Sequence, residues 1–315
     1  MTKRDKNLYT VEEVAGQLQF HPQTVLEYIR SGTLRAVRLG KGYRITQEAF
    51  EEFLKDRETS KNLYAITEAK NRIDNVLSEG EFKNRPSLLL SAVFLPEVKV
   101  KNIFSHKEGS KNVIELLEQP PVFRQYGWDL QTLDRARPVL GDFLEVKNGE
   151  RKTIRVYRNG QVIAAGLADE EFLGWAMEKF NVEGENSING MAVAEFISNF
   201  CVFVNEILGF LDSKPSSIMF YLRINNPSNK KLTFRSLVGQ WHIPDKKGAD
   251  VRFVKKEQQI GYDLDNKTQF NPAGTSAKIW AEYCYVFGFR EEEIPYLKEE
   301  NGIIVIDFEV FKKQK

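Results

Sequence analysis

Residues 8–54 alternate helix-period stretches with turn signals, and that order restricts the fold more than any other part of the chain. Thr10 stands where a helix N-cap belongs, and Glu13 follows three residues later. In such a capping box each side chain satisfies a backbone N–H of the first turn that has no helical partner. Tyr9 before the cap and Val14 after it are placed for a hydrophobic staple. Val11, Val14, Ala15 and Leu18 recur on one helical face. The chain then breaks at Phe20-His21-Pro22, and proline suits the first position of a new helix because its missing N–H would be unpaired there anyway. The second helix is predicted over residues 22–31, with Gly32 as its C-cap. Val25, Leu26 and Ile29 face inward, which leaves Gln23, Thr24, Glu27, Tyr28 and Ser31 outside. Two β-type runs, 34–39 and 43–45, flank Gly40-Lys41-Gly42 and read as a hairpin. Thr46 caps a third helix whose buried stripe is Phe50, Phe53 and Leu54, with Ile45 and Phe50 as a second staple.

The charge of this stretch is as distinctive as its periodicity. Between His21 and Gln47 the cations are Arg30, Arg35, Arg38, Lys41 and Arg44, and the one acid is Glu27, although the whole chain carries a net charge of only +1. A local cationic cluster on a near-neutral chain is a phosphate-binding footprint rather than a polybasic coat.

These residues resemble the excisionase and MerR-type family of winged helix-turn-helix domains. The matching runs are Tyr9-Thr10-Val11-Glu12-Glu13-Val14-Ala15, Pro22-Gln23-Thr24-Val25, Ile29-Arg30-Ser31-Gly32-Thr33-Leu34, Ala36-Val37-Arg38-Leu39-Gly40 and Arg44-Ile45. The resemblance covers about the first 55 residues. It implies double-stranded DNA as partner, with helix 22–31 in the major groove and the hairpin tip at 40–44 on the backbone or minor groove. The DNA-binding residues it marks are Gln23, Thr24, Tyr28, Arg30, Arg35, Arg38, Lys41, Tyr43 and Arg44. Arg30, Arg38 and Arg44 read as phosphate contacts, since most protein–DNA contacts go to the backbone. Tyr28 is open to two roles, packing or base reading. His21 departs from the Ser or Thr that usually caps the second helix of this family, and it caps less well.

A chain of 315 residues, 42% hydrophobic, has room for two or three domains. The division read from the sequence is a DNA-binding domain at 1–55, a linker and connecting helix at 56–84, and an α+β domain at 85–315. Residues 55–62 are charged and polar and read as the linker. Leu63, Ile66, Ile73 and Val76 then keep roughly heptad spacing in a helix ending near Gly80. Two readings of that helix stay open: a short dimer seam, as in MerR-like regulators, or a helix packed on the second domain. Cys201 and Cys284 lie in apolar surroundings and read as buried free thiols in a reducing compartment. The opening Met-Thr-Lys-Arg-Asp-Lys has no apolar run, so no secretory leader and a cytoplasmic location are expected. Residues 191–211 are long enough to span a bilayer. Glu195, Ser198, Asn199, Asn205 and Glu206 fall on one stripe there, which favours an amphipathic core helix with one wet edge.

From about residue 85 the texture is α+β. Strands are predicted at 87–95, 143–146, 153–157, 162–165, 217–224 and 303–308, with 98–104 pairing to the first. Asn159-Gly160 is a hairpin signal. Helices are predicted at 169–180, 188–211, 273–288 and 290–300, and the whole reads as a mixed sheet flanked by helices. Residues 123–130, the Arg158-Asn159-Gly160 turn and the long helix before 218–225 are faintly similar to C-terminal regions of Schlafen-type DNA-binding proteins. That likeness carries over no residues.

Catalytic chemistry leaves little trace. His21, His106 and His242 have no second His or Cys at metal-ligand spacing, and no phosphate-binding loop or nucleophile elbow is present. Glu145-Val146-Lys147, with Asp134 and Asp142 upstream, has the Glu-x-Lys form that restriction-like nucleases use to hold Mg²⁺ and steady the attacked phosphate. The alternative is a solvated strand edge. Trp128, Trp175, Trp241 and Trp280 are scattered and read as packing residues. The reading as a whole is a sequence-specific DNA-binding transcription regulator, without catalysis, metal or cofactor. It is expected to be a homodimer off the membrane, with a protein partner or small-molecule effector at the C-terminal domain. An excisionase-like recombination factor and a Mg²⁺-dependent nuclease are the alternatives.

Overall fold

The computed structural model describes residues 8–18, 22–40, 42–105, 112–123, 127–132, 134–174, 187–226, 231–233, 249–250, 257–263 and 270–309. They fall into two compact units, Met1–Tyr64 and Ala65–Lys315. The first holds β1 (Leu8–Tyr9), α1 (Val11–Leu18), α2 (Pro22–Arg30), β2 (Val37–Leu39), β3 (Gly42–Thr46) and the start of α3 (Gln47–Leu77). Its strands form an antiparallel sheet in the order β1-β3-β2.

α3 runs unbroken through residues 55–62, where a linker is predicted from composition. That stretch is polar but holds neither Gly nor Pro, and Lys, Arg and Glu propagate a helix well. Leu54 and Leu63 are exposed, contrary to their predicted places on apolar stripes. The residues of α3 buried in the second unit are Ala65, Ala69, Ile73, Val76 and Leu77, which pack on that unit's own sheet. Ile73 and Val76 therefore serve intrachain packing.

The second unit continues with β4 (Ser87–Leu95), α4 (Val113–Glu118), β5 (Arg137–Val139), β6 (Phe143–Asn148), β7 (Lys152–Tyr157), β8 (Val162–Leu167), β9 (Ser187–Asn189) and α5 (Gly190–Leu208). After these come β10 (Ser217–Asn225), β11 (Lys231–Thr233), β12 (Ala249–Asp250), β13 (Glu257–Asp263), α6 (Pro272–Val286), β14 (Leu297–Glu300) and β15 (Ile303–Ile306). Seven strands form one sheet in the order β13-β10-β4-β8-β7-β6-β5. Every neighbouring pair in it is antiparallel, which corrects the mixed sheet predicted. Strands β5 to β8 follow one another through tight turns, and only antiparallel pairing allows that. The parallel pair among the described residues is β9–β11, in a separate small sheet.

The period-2 alternation of the strands sorts side chains onto two cores. Leu88, Leu90, Ala92 and Phe94 of β4 face the side that also holds α5 and α6. Leu89, Val93 and Leu95 face α3. All nine residues of β4 are buried, as a strand covered on both faces requires. The β7–β8 hairpin turns at Asn159-Gly160 as predicted, with Gly160 at φ +83°. A Cβ on Gly160 would lie 2.9 Å from Phe94 and 3.2 Å from Val98, so packing as well as backbone conformation demands glycine.

Four predictions in this unit need correction. Residues 98–104 do not pair with β4, whose two edges are taken by β10 and β8; Val100 instead bridges Leu211. Residues 170–174 form turns where a helix is predicted, and residues 175–180 lie outside the described residues. The helix predicted at 290–300 is a 3-10 turn at Glu291–Glu293 followed by β14. Pro295 disfavours the α conformation at Ile294 and cannot donate in a helix. In α5, Glu195, Ser198 and Asn199 are buried rather than wet, and solvent reaches the helix later, at exposed Val202 and half-buried Asn205 and Glu206. Gly190–Leu208 is long and apolar enough to cross a membrane, yet 78% of its most apolar window is buried in this core.

Trp128 and Trp280 are core residues whose indole N–H groups donate to the carbonyls of Phe172 (3.0 Å) and Pro295 (2.9 Å). Cys201 and Cys284 are buried free thiols, and burial pushes both well above the usual thiol range.

Candidate nucleic-acid interface

The first unit is held by a small core of Val11, Val14, Ala15, Val25, Leu34, Ile45, Phe50 and Phe53. The capping box forms as predicted: the Thr10 N–H donates to Glu13 Oε2 at 2.9 Å, and the Glu13 N–H donates to Thr10 Oγ1 at 3.2 Å. Tyr9 rests on Phe50, with ring centroids 5.8 Å apart. Thr46 Oγ1 accepts the Ala49 N–H at 3.1 Å and so starts α3.

α2 buries only Val25 completely. Gly32, at φ +77°, ends the helix, and the Leu34 N–H then donates to the Tyr28 carbonyl at 2.9 Å. That bond draws Leu34 into the core. Gln23, Glu27 and Arg30 stay exposed, and Thr24 is half-buried. Tyr28 is half-buried against Phe53, with centroids 5.4 Å apart, so packing claims its ring.

In the hairpin, Arg38 lies opposite Tyr43 and Val37 opposite Arg44. Successive strand residues point to opposite faces, so Arg38 and Tyr43 share one face while Arg44 belongs to the other. All of β2 is exposed. Arg44 Nη1 donates to the Tyr43 carbonyl at 2.9 Å. Arg35 is ion-paired with Glu52, and both side chains remain more than half exposed. Among the described residues Arg30, Arg38 and Arg44 have no carboxylate partner. His21 and Lys41, with Phe20, His106, Trp175, Trp241 and His242, lie outside the described residues.

Two features here are missing from the sequence reading. Val37 and Leu39 are more than half exposed beside Arg38. Ser31 and Thr33 are joined by a 2.8 Å hydroxyl–hydroxyl bond just past α2. An edge strand of three residues gives no alternation long enough to show which side is wet.

The Glu-x-Lys candidate lies in the second unit, where its carboxylate is held by cations. Glu145 Oε1 accepts from Arg155 Nε at 2.8 Å and stands 3.4 Å from Lys147 Nζ. Arg155 reaches on to Glu79, and Asp142 faces Arg72 at 3.4 Å. The Asp134 carbonyl accepts from Thr132. Among the described residues no group of three His, Cys, Asp or Glu side chains is arranged to hold a metal. A groove of about 620 Å³ runs between α6 and the β14–β15 hairpin, with Ala277, Ile294 and Ile303 in its apolar wall.

Residues 8–58 match the family model of a helix-turn-helix domain. Over 125 residues the chain is 27% identical to the uncharacterized protein YvgK of Bacillus subtilis (strain 168), a stretch covering 40% of this chain and 36% of YvgK. The chain thus matches about a third of that relative's length. No solved structure matches the chain. Neither match names a Schlafen-type protein.

Proposed function

We propose that the chain binds double-stranded DNA through residues 8–54 and acts as a sequence-specific transcription regulator. The observation that carries this reading is a coincidence. The stretch matching a helix-turn-helix domain is also the one where, among the described residues, Arg30 of α2 and Arg38 of the hairpin are exposed without a carboxylate partner. α2 enters the major groove, with Gln23 and Thr24 near base edges and Arg30 on phosphate. The hairpin acts as a wing. Cations on both its faces suit a ribbon lying between two phosphate rows. The second unit dimerises, senses an effector or recruits a partner, and the protein works in the cytoplasm.

Selection of binding sites from random duplex DNA tests this reading. A palindromic enriched site, weakened for Arg38→Ala, is the expected result for a dimer. Enrichment of nothing above background would contradict it, and a monomer by light scattering at micromolar concentration would contradict the dimer.

A further inference from the structure

The tip of the β5–β6 hairpin breaks the ordinary rules of turn composition. Leu140 and Gly141 have φ of +47° and +69°, and the Asp142 N–H donates to the Val139 carbonyl at 3.0 Å. Two positive φ values inside such a turn mark type I′, which strongly prefers Asn-Gly or Gly-Gly. Leucine in the left-handed region is strained, and Leu140 is 99% exposed, so it gains nothing from burial. Folding does not explain this side chain.

The tip is braced from behind. Arg158 donates from Nε to the Gly141 carbonyl and stacks its guanidinium over Phe104, 4.4 Å from the ring centroid. The Arg158 N–H also donates to the Asp142 carbonyl, and its own carbonyl accepts the Val100 N–H, both at 2.9 Å. These bonds place Lys99 and Lys101 beside the same corner. Lys99, Lys101, Arg137 and Arg158 are all exposed. Of the acids at this corner, Asp142 faces Arg72, Glu145, opposite Arg137 in the ladder, is held by Arg155, and Asp212 accepts the Lys99 backbone N–H at 3.0 Å.

We propose that Leu140 is a wedge that enters the minor groove of duplex DNA and unstacks a base step, with the flanking cations on the phosphates. One projecting apolar side chain within a cationic rim is what minor-groove wedging requires. It is too little for the other surfaces. A stable protein interface takes about 20–30 residues a side. Even a whole myristoyl chain gives only marginal membrane binding. The proposal rests on the DNA-binding reading of residues 8–54 and adds a second contact outside them.

The test uses the full chain and a duplex of about 30 base pairs with TA steps, which unstack most readily, each carrying 2-aminopurine. Leu140→Asn suits the turn and removes the wedge, while Leu140→Met keeps an apolar tip. Wild type and Leu140→Met are expected to raise 2-aminopurine fluorescence on binding. Leu140→Asn is expected to lose that rise yet bind within about tenfold of wild type, because the cations remain. Thermal melting no lower than wild type shows that Leu140→Asn folds. An equal fluorescence rise for Leu140→Asn would overturn the wedge and leave the head as a DNA reader. Absence of duplex binding by wild type at low salt would overturn both. Leu140-dependent sedimentation with phosphatidylserine vesicles, without the fluorescence rise, would assign the tip to membranes instead.

Discussion

Lys152 shows how much a single residue can constrain this molecule. Its ammonium is buried in the sheet and donates to the carbonyls of Asp129 and Gln131 at 2.7 Å each, with the Asp129 carboxylate 3.8 Å away. Burial pulls its pKa down to about 8, against the partial support of Asp129. An unfolded chain keeps that proton up to about pH 10.5, so between about 8 and 10.5 the unfolded state binds more protons than the folded one. Stability from this group alone therefore rises with pH across that window. Urea unfolding at about pH 7.5 and about pH 9.5 should show a smaller gain for Lys152→Met than for wild type. An identical gain in both proteins would show that Lys152 titrates as if in water. The same residue pins loop 127–132 to the sheet. No sequence pattern announces this, because a lysine in a strand ordinarily reads as a solvent-facing position.

At the scale of elements, legibility followed local signals. The hairpin β7–β8 is readable because β-type runs flank Asn159-Gly160, and the turn forms there. Alanine at Gly160 should cost about 2–4 kcal/mol, from the positive φ together with overpacking against Phe94. Calorimetry checks this, and an unchanged melting temperature would refute it. The capping box at Thr10 and Glu13, the helix over 22–31 and the cap at Thr46 were legible for the same reason, since each rests on residues within one turn of helix. What escaped the sequence depends on distant partners. Continuity of α3 through residues 55–62 shows no break in composition, because polar helix formers look alike in a linker and on a helix. The strand order of the large sheet depends on β4 accepting both β8 and β10, which lie far along the chain. The polar residues of α5 read from sequence as a wet edge, but Glu195, Ser198 and Asn199 are covered where the helix is sealed within its unit. Within the candidate interface, the sequence marked the cations but not their partners. Arg35 pairs with Glu52 and Tyr28 packs on Phe53, while among the described residues Arg30 and Arg38 are exposed, and Arg44 half-buried, without a carboxylate partner.

For the whole molecule, the second unit encloses both thiols, which makes them reporters of its opening. Cys201 and Cys284 should resist a thiol reagent in native buffer and react only as fast as that unit unfolds. Fast labelling of the native protein would contradict that sealed core. Duplex affinity measured against salt for wild type, Arg30→Ala, Arg38→Ala and the double variant decides whether the first unit reads duplex DNA. Log affinity should fall linearly with log salt. The slope should become shallower by about one for each arginine lost, and by about two in the double variant. Absence of binding by wild type at about 50 mM salt, or a slope unchanged in the double variant, would contradict it.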